Sequence, residues 1–183
     1  LIKDDNGKYT WISDLPDSIG RLHSFFGNFG ILVRAYVYIK MLGDSGLKSM
    51  TRVAIINANY LKNKLKDAYK IPFAEGTLHE FVASGVLQKA KGVKALDIAK
   101  ALLDYGFYAP TIYFPNNVPE AMMIEPTESE TKETLDRFVS ALLEINEKIN
   151  SDPDLVRDAP MTTPVIRLDE TKANRELDLR WTP

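Results

Sequence analysis

Cysteine is absent from this sequence. That removes disulfides, thiolate metal sites and a cysteine nucleophile, and it suits a reducing compartment. Histidine is scarce: two residues leave a histidine-based metal centre short of ligands. Charge of one sign is lacking too. The net charge of −2 gives no general argument for nucleic acid, although a local basic patch stays compatible with it. The most apolar run, "GILVRAYVYIKML", carries Arg34 and Lys40 and is too short to span a bilayer. No succession of charged, apolar and small residues opens the chain as a signal peptide would. Neither G-x-G-x-x-G nor G-x-x-x-x-G-K-[ST] occurs, so a phosphate-loop nucleotide site has no support. The expectation is a cytoplasmic protein with no membrane, nucleic-acid or metal partner.

What is present fits a globular domain. The chain has 183 residues, 45% hydrophobic and 26% charged. That is enough for one domain with a core, and for a tail. "KYTWIS" (8–13) alternates and reads as a short strand. Asp14 and Asp17 are candidate caps, with Pro16 suited to a first helical turn. An almost wholly apolar helical pattern follows from Ser18 to Met41, as for a buried helix, and "GDSG" breaks it. A second helix is predicted from about Gly46 to Ala68, with Met50, Val53, Ala54, Asn57, Leu61 and Leu65 near one face. Lys62, Lys64 and Lys66 read as its solvated, dipole-compatible end.

"YKIPFA" and "LHEFVAS" look extended. "VKALDIAKALLDYG" is a short amphipathic helix stopped by Gly106. "YAPTIYFP" and "EAMMIEP", joined by "NNV", predict a hairpin from about Tyr108 to Glu125. A helix from about Thr127 to Asn150 follows, with Leu135, Phe138, Val139, Leu142 and Ile149 on its apolar side. The order predicts an α+β fold, an antiparallel sheet with helices packed on one face. Residues 1–17 read as a leading segment, 18–150 as the domain and 151–183 as a proline- and charge-rich tail.

Each candidate site has a structural reading beside the functional one. Thr127 and Glu130 form an S/T-x-x-E capping box before an apolar helix, and a helix start also offers free N–H groups to an anion. His79 and Glu80 in "LHEFVAS" supply an imidazole and a carboxylate for acid–base work, or one hydrogen-bonded structural histidine. Arg34 is suited to gripping a carboxylate or phosphate, and equally to a buried ion pair. "SFFGNFG" (24–30) puts two glycines in an apolar helical pattern, at roughly 1 kcal/mol each against alanine. Read as helix, Gly27 and Gly30 share a face that permits close approach, with Asn28 beside it. That serves helix packing, a site wall or an oligomer contact.

Five blocks carry a resemblance: "DSIGRLHSFFGNFGILVRAYVYIKMLGDSGL", "VAIINANYLKNKLKDAY", "HEFVAS", "YFPNNVPEAMMIEPTESETKETLDRF" and "TTPVIRLDETKANRELDLRW". Together, in collinear order over essentially the whole chain, they resemble the C-terminal part of the glycine cleavage system P-protein, glycine dehydrogenase (decarboxylating). The tail looks most like subunit 2 of the two-chain form. The resemblance implies the small C-terminal domain of a fold-type I pyridoxal-phosphate, aminotransferase-like enzyme. In that family glycine is decarboxylated on pyridoxal phosphate, and the aminomethyl group passes to the lipoyl arm of the H-protein.

The family's cofactor lysine lies in a His-Lys-Thr type motif followed by a glycine-rich stretch. No such motif occurs in this sequence, which is expected to be a C-terminal fragment with the lysine upstream of Leu1. The fragment is then expected to be inactive by itself and to bind no cofactor alone. Expected partners are P-protein subunit 1, the lipoylated H-protein, glycine and, through exposed apolar surface, a second copy. By resemblance, Asn28, His79, Glu80, Glu125, Thr127 and Glu128 are expected near the glycine and lipoyl entrance. Arg34 is a candidate anion contact, and Phe26, Gly27 and Gly30 belong to a domain or subunit interface. Where the family commonly has a histidine before "TTP", this chain has Met161. Two other readings stand beside this one: the small domain of another fold-type I decarboxylase or aminotransferase, and a non-catalytic assembly module.

Overall fold

The computed structural model describes residues 2–12, 15–20, 22 and 25–180. The chain divides into two compact units, residues 1–47 and 48–183.

In the first unit, β1 (Ile2–Lys3) pairs antiparallel with β2 (Tyr9–Thr10). The Asp4 carboxylate closes their turn by accepting the Asn6 and Lys8 N–H groups, an Asx-type turn. The strand expected over 8–13 is therefore real but only two residues long. Asp14, a candidate cap, lies outside the described residues. No helix starts at Asp17. Helix α1 (Phe29–Leu65) begins eleven residues later than its apolar pattern suggested. The physical reason is in "GNFG". Gly27 has φ +115, a left-handed value that no helical residue adopts. Asn28 then caps the helix, its Oδ1 accepting the Ile31 N–H at 3.2 Å, as an N-cap asparagine does. Gly27 and Gly30 consequently do not share a helical face: one precedes the helix and the other lies in its first turn. The run expected to be buried is exposed from Phe29 to Lys40, Arg34 included. The expected break at "GDSG" is present, with Gly43 non-helical at φ 61, ψ −173.

In the second unit, the rest of α1 places Ala58, Leu61 and Leu65 in the core. β3 (Phe81–Ser84) is followed by a single turn, α2 (Val86–Lys89), and by α3 (Ala95–Asp104). Gly106 ends α3 with φ +75. The Gly106 N–H donates to Leu103 and the Phe107 N–H to Leu102, the paired bonds of a Schellman end. β4 (Thr111–Ile112) and β5 (Ala121–Ile124) form the expected hairpin. The sheet order is β3-β5-β4, all antiparallel, so the unit is α+β as expected.

Register sets the burial. Phe81 faces Ile124 and Ala83 faces Met122, and these four belong to the core. Val82 and Met123, paired on the other face, are only half-buried, as strand alternation requires. α4 (Lys132–Ser151) supplies Leu135, Val139, Leu142, Ile145 and Ile149 to the same core, with Phe138 packed against it. Its cap is Thr131, whose Oγ1 accepts the Thr134 N–H at 3.2 Å. The capping box at Thr127 is thus a misreading by one turn. Thr127 instead pairs its hydroxyl with that of Ser129 at 2.7 Å. The tail carries two short helices, α5 (Asp154–Arg157) and α6 (Glu170–Arg175). It is tied to α3 at two points. Arg167 donates to Asp97 at 2.5 Å, and Asp104 accepts from Met161 and Thr162. Met161 thus serves through its backbone N–H, and its side chain is exposed.

Candidate functional site

The antiparallel pairing of β3 with β5 ends at Phe81↔Ile124. Immediately beyond it, Glu80 and Glu125 come from opposing chains and His79 sits with them. The His79 Nε2 lies 4.0 Å from Glu80 Oε2 and 3.8 Å from Glu125 Oε1. An imidazole between two carboxylates eases their mutual repulsion when protonated. When neutral, it offers one proton donor and one acceptor. All three groups are accessible to solvent, so a ligand can reach them. "HEFVAS" and "IEPTESE", far apart in sequence, therefore meet at one end of one sheet.

A cleft of about 380 Å³ has Glu125 in its lining, while His79 and Glu80 do not line it. Its walls are largely apolar, with Leu61, Phe107, Met123, Leu135 and Phe138 among them, and Glu125, Glu130 and Thr134 contribute polar groups. Apolar walls with a few convergent polar groups are the usual composition of a small-molecule site. Thr127 and Glu128 lie in the segment that leaves β5 toward α4. Asn28, Arg34, Phe26, Gly27 and Gly30 all belong to the unit of residues 1–47. There Asn28 is the α1 cap, Arg34 is exposed, and Phe26 stacks at a tilt on Trp11 with ring centroids 5.4 Å apart.

Two polar residues of α1 hold the approach segments. The Asn57 Nδ2 donates to the Thr127 carbonyl at 2.9 Å. The Asn59 Nδ2 donates to the Thr77 carbonyl at 3.1 Å and to its own helix at Ile55. Lys62 also reaches that loop, donating to the Ala74 carbonyl at 2.7 Å and to the Thr77 hydroxyl at 3.0 Å. It is not part of a solvated face, as its lysine-rich neighbourhood suggested. The sequence carried a signal for Asn57: it is the polar member of an otherwise apolar helical stripe, where asparagine has poor helix propensity.

Glu120 is a second residue that the sequence reading passed over. Its side chain is only 5% exposed. One oxygen accepts the Ala95 N–H at 2.8 Å, and the other meets the Lys89 ammonium at 2.6 Å. Burial alone would raise its pKa. The Ala95 N–H and the Lys89 charge outweigh that and hold the carboxyl below its ordinary value. The group anchors the β4–β5 loop to the start of α3, with no opening toward the cleft lining.

Among the described residues no group of three or more acidic, histidine or cysteine side chains is placed to hold a metal. No helix among them is long and apolar enough to cross a membrane.

Residues 50–161 match a family described as glycine dehydrogenase, C-terminal domain. The match takes in His79, Glu80, Glu125, Asn57 and Asn59. A probable glycine dehydrogenase (decarboxylating) subunit 2 from Staphylococcus epidermidis is 52% identical over 181 residues, 99% of this chain and 36% of that protein. Proteins of the same description from Bacillus licheniformis and Chlorobaculum tepidum are 54% and 53% identical, over 99% and 97% of this chain and 37% of each of them. The chain thus spans little more than a third of the length of the curated relatives it matches. With β3–β5, α2–α5 and the His79–Glu125 junction inside the matched span, the chain belongs to the glycine dehydrogenase C-terminal domain family.

Proposed function

We propose that this chain is the C-terminal part of a glycine-decarboxylating enzyme of fold type I. The reaction proposed for that enzyme is decarboxylation of glycine with passage of the aminomethyl group to the lipoyl arm of the H-protein, for which pyridoxal phosphate would supply the electron sink. The observation that supports a part for this chain is the junction of His79, Glu80 and Glu125, of which Glu125 also lines an apolar cleft. The residues here do not fit the cofactor itself. The cleft lining contains no lysine to bond it and no arginine or lysine to hold its phosphate. Cofactor chemistry is therefore assigned to the protein outside this chain, and the role here is that of a wall at the entrance.

In that role Glu80 and Glu125 attract a cationic amine, and His79 takes up or gives a proton beside it. The apolar walls exclude water from an alkyl arm. The exposed apolar surface of residues 25–41 is the face that meets subunit 1 or the remainder of the enzyme. Phe26 and the Gly27–Gly30 turn lie on it.

Glycine-dependent CO₂ exchange with lipoate or H-protein, measured on the complete enzyme, tests this reading. His79→Gln and Glu125→Gln are expected to lower the exchange rate by about 10²-fold, as for loss of an acid–base group. Unchanged rates in both would refute the assignment. The isolated chain is expected to trap no unique lysine on borohydride treatment with added cofactor.

A further inference from the structure

We propose that Asn57 and Asn59 are positioning residues, which set the His79–Glu125 junction from α1. The inference rests on the reading above that this junction works in the reaction. Residues two apart on a helix point roughly 200° apart, so the two side chains reach opposite sides of α1. Asn57 holds Thr127, two residues beyond Glu125, and Asn59 holds Thr77, two residues before His79. At their other ends the same two segments are fixed by the Phe81↔Ile124 strand pair. Residues 78–80 and 125–126 are therefore pinned at both ends, and α1 supplies one pin for each.

Asn57 is only 7% exposed and sits beside the fully buried Ala58. An aliphatic side chain there would favour both helix and core. Its amide instead satisfies one carbonyl far away in sequence. Thr127 accepts a second, longer bond from the Glu130 N–H at 3.3 Å, so its carbonyl is the point where the turn into α4 meets α1. Asn59 is backed by Lys62 on the same loop. Loss of Asn59 is thus expected to be milder than loss of Asn57. Two accessible carboxylates and an imidazole within 4.0 Å keep that geometry only if their backbones cannot drift, and a misplacement of about 1 Å is worth up to about 10²-fold in rate.

The test is a double-mutant cycle in the complete enzyme, read as kcat for glycine-dependent CO₂ exchange across pH. Asn57→Ala is expected to lower kcat by roughly 10- to 100-fold and to alter the pH limb that His79→Gln abolishes. Added to Glu125→Gln, it is expected to cost nothing more, because the Thr127 carbonyl that Asn57 holds sets the Glu125 segment. Amide exchange in residues 78–80 and 125–128 is expected to quicken in the same variant. If Asn57→Ala fails to assemble, the near-isosteric Asn57→Leu removes the donor while keeping the branched shape and burying no charge, and the same cycle is read from it. Full activity, or losses that multiply with those of Glu125→Gln, would overturn the proposal while leaving the site intact. No effect of His79→Gln by itself overturns the site reading and this inference with it.

Discussion

Glu120 combines two costs that a sequence does not show. It is buried as a carboxylate, and its backbone lies at φ +51, a left-handed value that costs a non-glycine residue roughly 1–2 kcal/mol. Both are offset by one arrangement: the carboxylate closes the first N–H of α3 and pairs with Lys89. Glu120→Ala keeps the strain and removes the anchor, so a loss of about 1–3 kcal/mol is expected. Glu120→Gly removes both and is expected to be about 1 kcal/mol the less damaging of the two. Urea midpoints of the two variants check the order, and a glycine variant less stable than the alanine one would contradict it. Asp104 makes a comparable tie to the tail. Burial pushes its carboxyl up, but the N–H groups of Thr162 and Met161 and the Thr162 hydroxyl win, and its pKa is lowered. A depressed pKa means that this stabilisation is complete above the ordinary aspartate value. It is lost as pH falls below that value and through the lowered one. Amide protection at Met161 and Thr162 should follow that course, and Asp104→Asn should flatten it.

At the scale of elements, α4 carries the most testable packing. Leu142 is 1% exposed, and its carbonyl accepts the Tyr69 hydroxyl at 2.9 Å. Leu142→Ala is expected to cost about 2–5 kcal/mol, the usual range for a buried leucine, seen as a lower denaturation midpoint. A cost below about 1 kcal/mol would mean that the site collapses around the gap. This helix was legible in the sequence because its apolar positions recur at helical spacing, and so were α3 and the hairpin. Element starts were less legible. Thr127 carries the S/T-x-x-E pattern, yet the helix opens one turn later at Thr131, whose Oγ1 accepts the Thr134 N–H, while the Thr127 carbonyl is held by Asn57. The start of α1 was misplaced for a related reason. Periodicity continues through "SFFGNFG", while the backbone leaves the helical region at Gly27. His79 and Glu125 stood out singly as candidates, but their meeting depends on strand register, a long-range fact. The ties through Asn57, Asn59 and Lys62 are equally long-range.

At the scale of the whole chain, the two units differ in how their apolar residues are used. Residues 48–183 build a buried core, although the tail from Met161 to Leu179 leaves its large apolar side chains outside. Residues 1–47 leave them outside: Phe25 is 82% exposed and Phe29 80%, and Val33 and Tyr36 follow Phe29 along α1 at helical spacing. Residues separated by three, four and seven positions share a helix face, so this is a stripe rather than scattered exposure. Exposed apolar patches beyond a few hundred Å² mark contact surfaces. The relatives are nearly three times as long as this chain, and the added length is the natural cover for the stripe. Expressed alone, the chain has only copies of itself to cover it. Light scattering should therefore give a mass above the 20.6 kDa of one chain, rising with concentration. Phe29→Lys together with Tyr36→Lys should weaken that association by at least about 10-fold, since each ring buries apolar area worth about 1.5–3 kcal/mol. The core of residues 48–183 should keep its denaturation midpoint in the double variant, because neither side chain belongs to it. A chain that stays monomeric at high concentration would show that the stripe is soluble as it stands, and its assignment as the face toward the rest of the enzyme would fall.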